Sequence, residues 1–70
     1  MIGNRIAFQR EKNGLTQEEL GRFMGVSETT VDRWEKGAED LDIDSLKRIC
    51  LYLGIVFEEV LLDLYLFKNE

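Results

Sequence analysis

Residues 15–37, LTQEELGRFMGVSETTVDRWEKG, decide the fold because they encode two short helices and a very tight connection. Thr16 is a favourable N-cap, and Glu19 at the third helical position completes a capping box. Ser27 is the N-cap of the later of the two helices. Gly25 supplies the left-handed conformation that ends the earlier of the two helices. A connection of about three residues forces these two helices to cross each other steeply.

The apolar residues of this stretch predict which sides of the two helices face a core. Val31 and Trp34 face inward from the later of the two helices, and Val26 points back towards the core from the connection. Gly21 lies where the helices cross, a position that admits only a very small side chain. On the earlier of these two helices the predicted apolar stripe consists of Leu20, Phe23 and Met24.

Caps and glycines divide the remainder of the chain into three further helices. Ile2–Asn13 is predicted to form a helix that ends at Gly14. The fourth helix starts at Asp42 or Asp44 and carries Ile43, Leu46, Ile49, Cys50 and Leu53. A last apolar helix starts near Val56 or Phe57. Left-handed glycine caps are predicted at Gly14, Gly25, Gly37 and Gly54.

These elements predict an all-α fold, a compact five-helix bundle that contains a helix-turn-helix. We assign residues 1–62 to this domain and residues 63–70 to an apolar C-terminal tail. Cys50 and Trp34 are expected to be core residues, whereas Phe8 lies off the apolar stripe of the first helix and is expected to be partly exposed.

The composition of the 70-residue chain limits its function. One cysteine and no histidine argue against a disulfide framework and the common zinc sites. No nucleophile–base pair, metal set or phosphate loop can be assembled, so we expect neither an enzyme nor a cofactor. No run approaches the roughly 18 apolar residues of a membrane helix, and the start lacks a signal-peptide core. We therefore expect a cytoplasmic protein with no membrane contact.

The formal net charge of −5 argues against a nucleic-acid partner when taken alone. Its distribution changes that conclusion. Residues 1–36 hold six basic and six acidic residues, whereas residues 37–70 hold three basic and eight acidic residues. A protein that contacts DNA with its first half tolerates this surplus of negative charge at some loss of electrostatic steering.

Five segments are informative in their combined spacing: Leu15-Thr16-Gln17-Glu18-Glu19-Leu20, Gly25-Val26-Ser27, Val31, Trp34-Glu35-Lys36-Gly37 and Leu53-Gly54-Ile55. Together they resemble the phage repressor/Cro family of helix-turn-helix regulators. The resemblance extends over about residues 2–62. It implies a five-helix fold that binds double-stranded operator DNA as a dimer, with the third helix in the major groove.

The resemblance also implies which residues contact DNA. Gln17 matches a phosphate-contacting glutamine at the start of the second helix, where the helix N-terminus also favours an anion. Glu28, Thr29 and Arg33 match positions that meet base edges. Arg33 can pair with guanine, and Glu28 can accept a hydrogen bond from a cytosine amine.

The remaining matched positions are backbone contacts and an internal ion pair. Thr30 and Lys36 match neighbouring contacts to the DNA backbone, and Ser27 completes the candidate DNA-binding set. Arg10 and Glu35 match a partly buried ion pair that ties the first helix to the third.

The loop of residues 38–44, AEDLDID, is acidic where relatives often carry basic, phosphate-contacting residues. Repulsion between this loop and DNA phosphates is therefore expected to weaken binding. Its aspartates at 40, 42 and 44 superficially resemble a calcium loop, but the following residues lack the glycine turn and the final glutamate. We expect a helix-capping loop with Leu41 and Ile43 turned inward.

The tail Val60–Phe67 carries more apolar surface than one helix face against a small core can use. We expect a symmetric homodimer contact through this tail, which suits a palindromic operator. The alternatives are an extra helical turn folded over the domain's own core and, for the last residues, a paired strand.

Two functions follow from the sequence. The first is a sequence-specific transcriptional regulator, a repressor of phage or mobile-element type whose occupancy of DNA is itself the mechanism. The second is a protein-interaction module, or an antitoxin-like regulator with a protein partner, that keeps the fold with weakened DNA binding. The acidic loop and the apolar tail motivate the second.

Overall fold

The computed structural model describes residues 2–37 and 40–68, and this part of the chain consists of five helices without a strand. The helices are α1 (Ile2–Lys12), α2 (Gln17–Met24), α3 (Glu28–Lys36), α4 (Ile43–Leu53) and α5 (Phe57–Lys68). The predicted all-α five-helix bundle is confirmed. The proposed boundary between residues 62 and 63 falls inside α5, so the described part of the tail is helical.

The helix starts follow the predicted capping chemistry. The Thr16 hydroxyl accepts a hydrogen bond from the Glu19 backbone N–H (3.0 Å), and the Glu19 carboxylate accepts one from the Thr16 N–H (2.8 Å). The second bond, from the Thr16 backbone, holds the pKa of Glu19 below its ordinary value. Asp42, rather than Asp44, caps α4 by accepting from the Ser45 N–H at 3.3 Å.

Three of the four predicted left-handed glycines adopt that conformation, with φ of 75° at Gly14, 75° at Gly25 and 80° at Gly54. The prediction for Gly37 is wrong, because its φ is −155°. Helix α3 closes on a hydrogen bond from the Gly37 N–H to the Arg33 carbonyl (3.1 Å), which requires no left-handed residue.

The core lies where the inner faces of the helices meet. It consists of Ile6, Leu20, Met24, Val31, Trp34, Leu46, Ile49, Cys50, Leu53 and Val60. Val26 and Leu41 pack partly buried against it, as predicted. Trp34 and Cys50 are therefore structural, and the predicted exposure of Phe8 is confirmed.

Two predicted core residues lie on the surface instead. Ile43 is 48% exposed because it occupies the first position of α4, where Leu46 provides the inward contact. Phe23 is 43% exposed, and its ring stacks on that of Tyr52 with 3.7 Å between the centroids. The apolar stripe of α2 is therefore narrower than predicted.

Two glycines allow close helix crossings. A Cβ at Gly21 would lie 2.7 Å from the Val26 carbonyl oxygen, which confirms the predicted tight approach within the helix-turn-helix. A Cβ at Gly3 would lie 2.7 Å from the Trp34 carbonyl oxygen, so α1 packs directly on the backbone of α3. Arg5, two residues further along α1, ties this helix to α5 through Asp63 (2.7 Å).

None of the helices in the described ranges is long and apolar enough to span a membrane.

Candidate nucleic-acid interface

The turn between α2 and α3 leaves one face of α3 open to solvent. The Val26 N–H donates back to the Gly21 carbonyl (2.9 Å), and the Ser27 hydroxyl accepts from the Thr30 N–H (3.1 Å). With Val31 and Trp34 buried, the opposite side of the helix carries the exposed residues Glu28, Thr29, Arg33 and Lys36. This face adjoins the N-terminus of α2 across a shallow depression of about 230 Å³, lined by Gln17, Glu28, Thr29 and Asp32.

A buried ion pair fixes α3 against α1. Arg10 Nε donates to Glu35 Oε2 at 2.6 Å, and Arg10 Nη2 donates to Glu35 Oε1 at 3.2 Å. The remaining Nη1 donates to the Leu15 carbonyl at 2.6 Å, just before α2. The hydrogen bond with Glu35 raises the pKa of Arg10 above its ordinary value. The ion pair that the family resemblance implied is present and holds three elements together.

Gln17 connects this ion pair to the exposed face of α3. Its Nε2 donates to Glu35 Oε1 and to Asp32 Oδ1, each at 3.0 Å. Both N–H groups of the Gln17 side-chain amide therefore donate to partners within the protein. The open donors at the start of α2 are the backbone N–H groups of Gln17 and Glu18, since the next two N–H groups bind Thr16.

The two cations on the open face of α3 are each paired with a carboxylate. Lys36 Nζ lies 2.9 Å from Asp32 Oδ2, and the two residues are one helical turn apart. Hydrogen bonds from Lys36 and then Gln17 lower the pKa of Asp32. Arg33 donates to Asp40 Oδ2 from Nη2 at 2.6 Å and from Nε at 2.9 Å, which lowers the pKa of Asp40.

These pairs give the candidate interface a mixed electrostatic character. It forms neither a continuous positive stripe nor a continuous negative face, because each cation stands beside an acidic partner. Glu28 and Thr29 are exposed, and within the described ranges neither side chain forms an ion pair or a hydrogen bond. Ser27 and Thr30 bind each other through their hydroxyls (3.0 Å) at the helix cap.

The seven predicted DNA-binding residues all belong to α2, α3 or the turn between them. They are Gln17, Ser27, Glu28, Thr29, Thr30, Arg33 and Lys36. The structure brings Gln17, Glu28 and Thr29 together in the shallow depression. Arg33 and Lys36 are exposed farther along α3, whereas Thr30 is only partly exposed. The hydrogen-bond partners of Gln17 and Arg33 were not predicted from the sequence. The spacing of Asp32 and Lys36 signals their pairing, whereas Asp40 reaches Arg33 from beyond the end of the helix, where no periodicity applies. No trio of metal-binding side chains comes together among the residues described.

Comparison with known proteins agrees with this geometry. The sequence profile of the helix-turn-helix family matches residues 6–60, which include all of α2, α3 and α4. The chain belongs to the helix-turn-helix family. The match places it in the Cro/C1-type branch of that family, and the chain is similar to uncharacterized and putative HTH-type transcriptional regulators.

Three relatives show how the helix-turn-helix chain compares in length. An uncharacterized HTH-type transcriptional regulator of Methanocaldococcus jannaschii is 30% identical over 96% of this chain and 96% of its own length. The antitoxin PezA of Streptococcus pneumoniae is 32% identical over 90% of this chain and 43% of its own length. A glutamine–fructose-6-phosphate aminotransferase of M. jannaschii is 36% identical over 86% of this chain.

This chain spans only 6% of the aminotransferase, so the similarity is confined to a small region of that enzyme. No solved structure matches the helix-turn-helix chain significantly.

Proposed function

We propose that this regulator is a cytoplasmic repressor of phage or mobile-element type that binds operator DNA as a homodimer, with α3 in the major groove. The observation that carries the proposal is the open face of α3 beside the N-terminus of α2. The buried Arg10–Glu35 pair holds this face in a fixed orientation. A rigid helix is required because base contacts depend on its angle in the groove.

The proposed contacts divide between bases and phosphates. Glu28, Thr29 and Arg33 face base edges, because they lie exposed on the outer side of α3. Lys36 and the cap residues Ser27 and Thr30 lie near the DNA backbone. Gln17 contributes chiefly through its backbone N–H, because its side-chain amide is already bonded to Asp32 and Glu35.

The proposed dimer uses the exposed apolar residues of α5 from Leu61 onward. Val60 is buried in the core, whereas Leu61, Leu62, Tyr65 and Leu66 are exposed. Two copies that cover these side chains in a symmetric contact would place two copies of α3 on successive half-sites of a palindrome. In this proposal residues 1–62 are the DNA-binding domain and residues 63–70 the dimerisation element, to which Leu61 and Leu62 at the end of the domain add contacts.

Selection from a random pool of DNA duplexes tests the proposal. We expect enrichment of a palindromic sequence, and an affinity that falls with salt with a log–log slope of about −0.9 per phosphate contact. Charge reversal at Arg33 and Lys36 together is expected to abolish enrichment. The matched control reverses Lys47 and Arg48, two exposed cations on α4. Enrichment of no sequence at low salt would contradict the proposal.

A second candidate is an antitoxin-like regulator that acts mainly through a protein partner. The similarity to the antitoxin PezA and the exposed apolar residues of α5 favour it. The same charge reversal distinguishes the two, because it would leave a function based on a protein partner intact.

A further inference from the structure

The pairing of Arg33 with Asp40 uses one particular edge of the guanidinium. An arginine offers a side edge, formed by Nε and Nη2, and an end edge, formed by Nη1 and Nη2. Asp40 Oδ2 accepts from Nε at 2.9 Å and from Nη2 at 2.6 Å. A single carboxylate oxygen therefore occupies the side edge.

The end edge remains open to solvent. Within the described residues Arg33 makes no other hydrogen bond or ion pair, and 59% of its side chain is exposed. The end edge carries two parallel N–H groups, one on each Nη nitrogen, and the N7 and O6 atoms of guanine accept such a pair in the major groove. Binding of Asp40 and recognition of a guanine are therefore compatible in one arginine.

We propose that Asp40 is a positioning residue for base recognition: it holds the side edge of Arg33 and so aims the end edge at a guanine. This inference rests on the proposed function, in which α3 reads DNA. A free arginine on a surface loses rotamer freedom when it binds a base, whereas one already held by a carboxylate has lost part of it beforehand. The expected gain is roughly 2- to 12-fold in affinity for the guanine site.

The charge of Asp40 has the opposite effect on binding in general. A carboxylate near the duplex repels phosphates whatever the sequence, so it lowers the affinity for all DNA. Asp40 is therefore expected to exchange overall affinity for discrimination. This pair of opposite effects distinguishes a positioning residue from a simple competitor, which would lower affinity for the guanine site most.

The test compares Asp40→Ala with Asp44→Ala on the selected operator and on operators with single base changes. Asp44 is the matched control, because it is an exposed aspartate four positions after Asp40 in the chain and makes no contact with Arg33. The base pair read by Arg33 is the one at which Arg33→Ala loses its preference for guanine. Thermal unfolding of each variant checks that the fold is retained.

We expect both aspartate variants to bind random DNA more tightly than the wild type. Only Asp40→Ala is expected to reduce the preference for guanine, by roughly 2- to 12-fold. In an Arg33→Ala background, Asp40→Ala is expected to change discrimination no further, as a double-mutant cycle requires of residues that act through each other.

Three outcomes would overturn the inference. Equal effects of the two aspartate variants would reduce Asp40 to a general charge, and a stronger guanine preference in Asp40→Ala would make it a competitor. The third is a wild type that prefers no base through Arg33. A wild type that binds no DNA at all would contradict the proposed function as well, which separates the two failures.

Discussion

The Arg10 guanidinium and the Glu35 carboxylate form a two-point ion pair, with Nε 2.6 Å from Oε2 and Nη2 3.2 Å from Oε1. Both residues are buried, and both oxygens of Glu35 have a partner, since Oε1 also accepts from Gln17. The pair is therefore the internal support of the open face of α3, because it links that helix to α1 and to the start of α2.

Removal of one member of this pair should be far more damaging than removal of a surface carboxylate. We expect Glu35→Ala to lower the free energy of unfolding by about 3–5 kcal/mol, because the Arg10 charge stays buried without its partner. A small domain has only about 5–15 kcal/mol in total, so much of the population should unfold on mild heating.

Urea denaturation of the two variants Glu35→Ala and Asp32→Ala checks this prediction. Asp32 also binds Gln17, but its other partner, Lys36, is an exposed surface cation, so it is the matched control. Equal losses in both variants would show that the burial of the Arg10–Glu35 pair carries no special weight.

The parts of the fold that depend on local chemistry could be predicted from the sequence. The capping box of Thr16 and Glu19 and the left-handed Gly25 are decided by residues within one helical turn. Periodicity located Val31 and Trp34, because a helix must bury one side. The Arg10–Glu35 pair followed only from the family resemblance, since the two residues lie 25 positions apart.

The features that could not be predicted depend on contacts between elements distant in sequence. Phe23 is apolar at a helical spacing, yet the ring that covers it belongs to Tyr52 on another helix. Asp40 reaches Arg33 around the end of α3, and Gln17 reaches two carboxylates of α3. Such partners are set by the crossing angle of the helices, which a pattern in one segment does not encode.

Gly3 makes another contact between distant parts of the chain, and it leads to a prediction. We expect Gly3→Ala to destabilise the domain by about 1–3 kcal/mol, because the added Cβ would collide with the backbone of α3. Alanine improves helix propensity by about 1 kcal/mol, so the collision must outweigh a gain. Thermal denaturation checks the sign, with Asn4→Ala as the exposed neighbour on α1. A stabilised Gly3→Ala variant would contradict the close packing.

Below pH 8, stability should depend on pH only in acid. The pKa values of Asp32 and Asp40 are lowered from 3.8 by their hydrogen bonds with Lys36 and Arg33. A carboxylate whose pKa is lower in the folded state stabilises the fold above its unfolded pKa and loses that contribution as the pH falls through the folded value. The chain has no histidine, so no imidazole side chain titrates between about pH 5 and 8.

We therefore expect a melting temperature that is nearly constant from about pH 5 to 8 and falls below about pH 4. Calorimetry across this range measures it, and the variant Asp32→Asn should show a smaller fall in acid because one titrating group is gone. A transition centred near neutral pH would contradict the assignment of these carboxylates as the responsible groups.

The exposed apolar residues of α5 should control self-association. We expect the double variant Leu62→Glu/Leu66→Glu to weaken dimerisation by roughly 100-fold or more, since each buried leucine contributes about 1.5–3 kcal/mol and two are lost. Sedimentation across a range of concentrations measures the dimer. The matched control is Leu51→Glu, because Leu51 is 87% exposed on α4 and lies outside the proposed contact. Operator affinity should fall together with dimerisation, because the two half-sites are then bound independently. A wild type that sediments as a monomer well above the concentrations of operator binding would rule out this dimer, and equal effects of the α4 and α5 variants would show that the contact lies elsewhere.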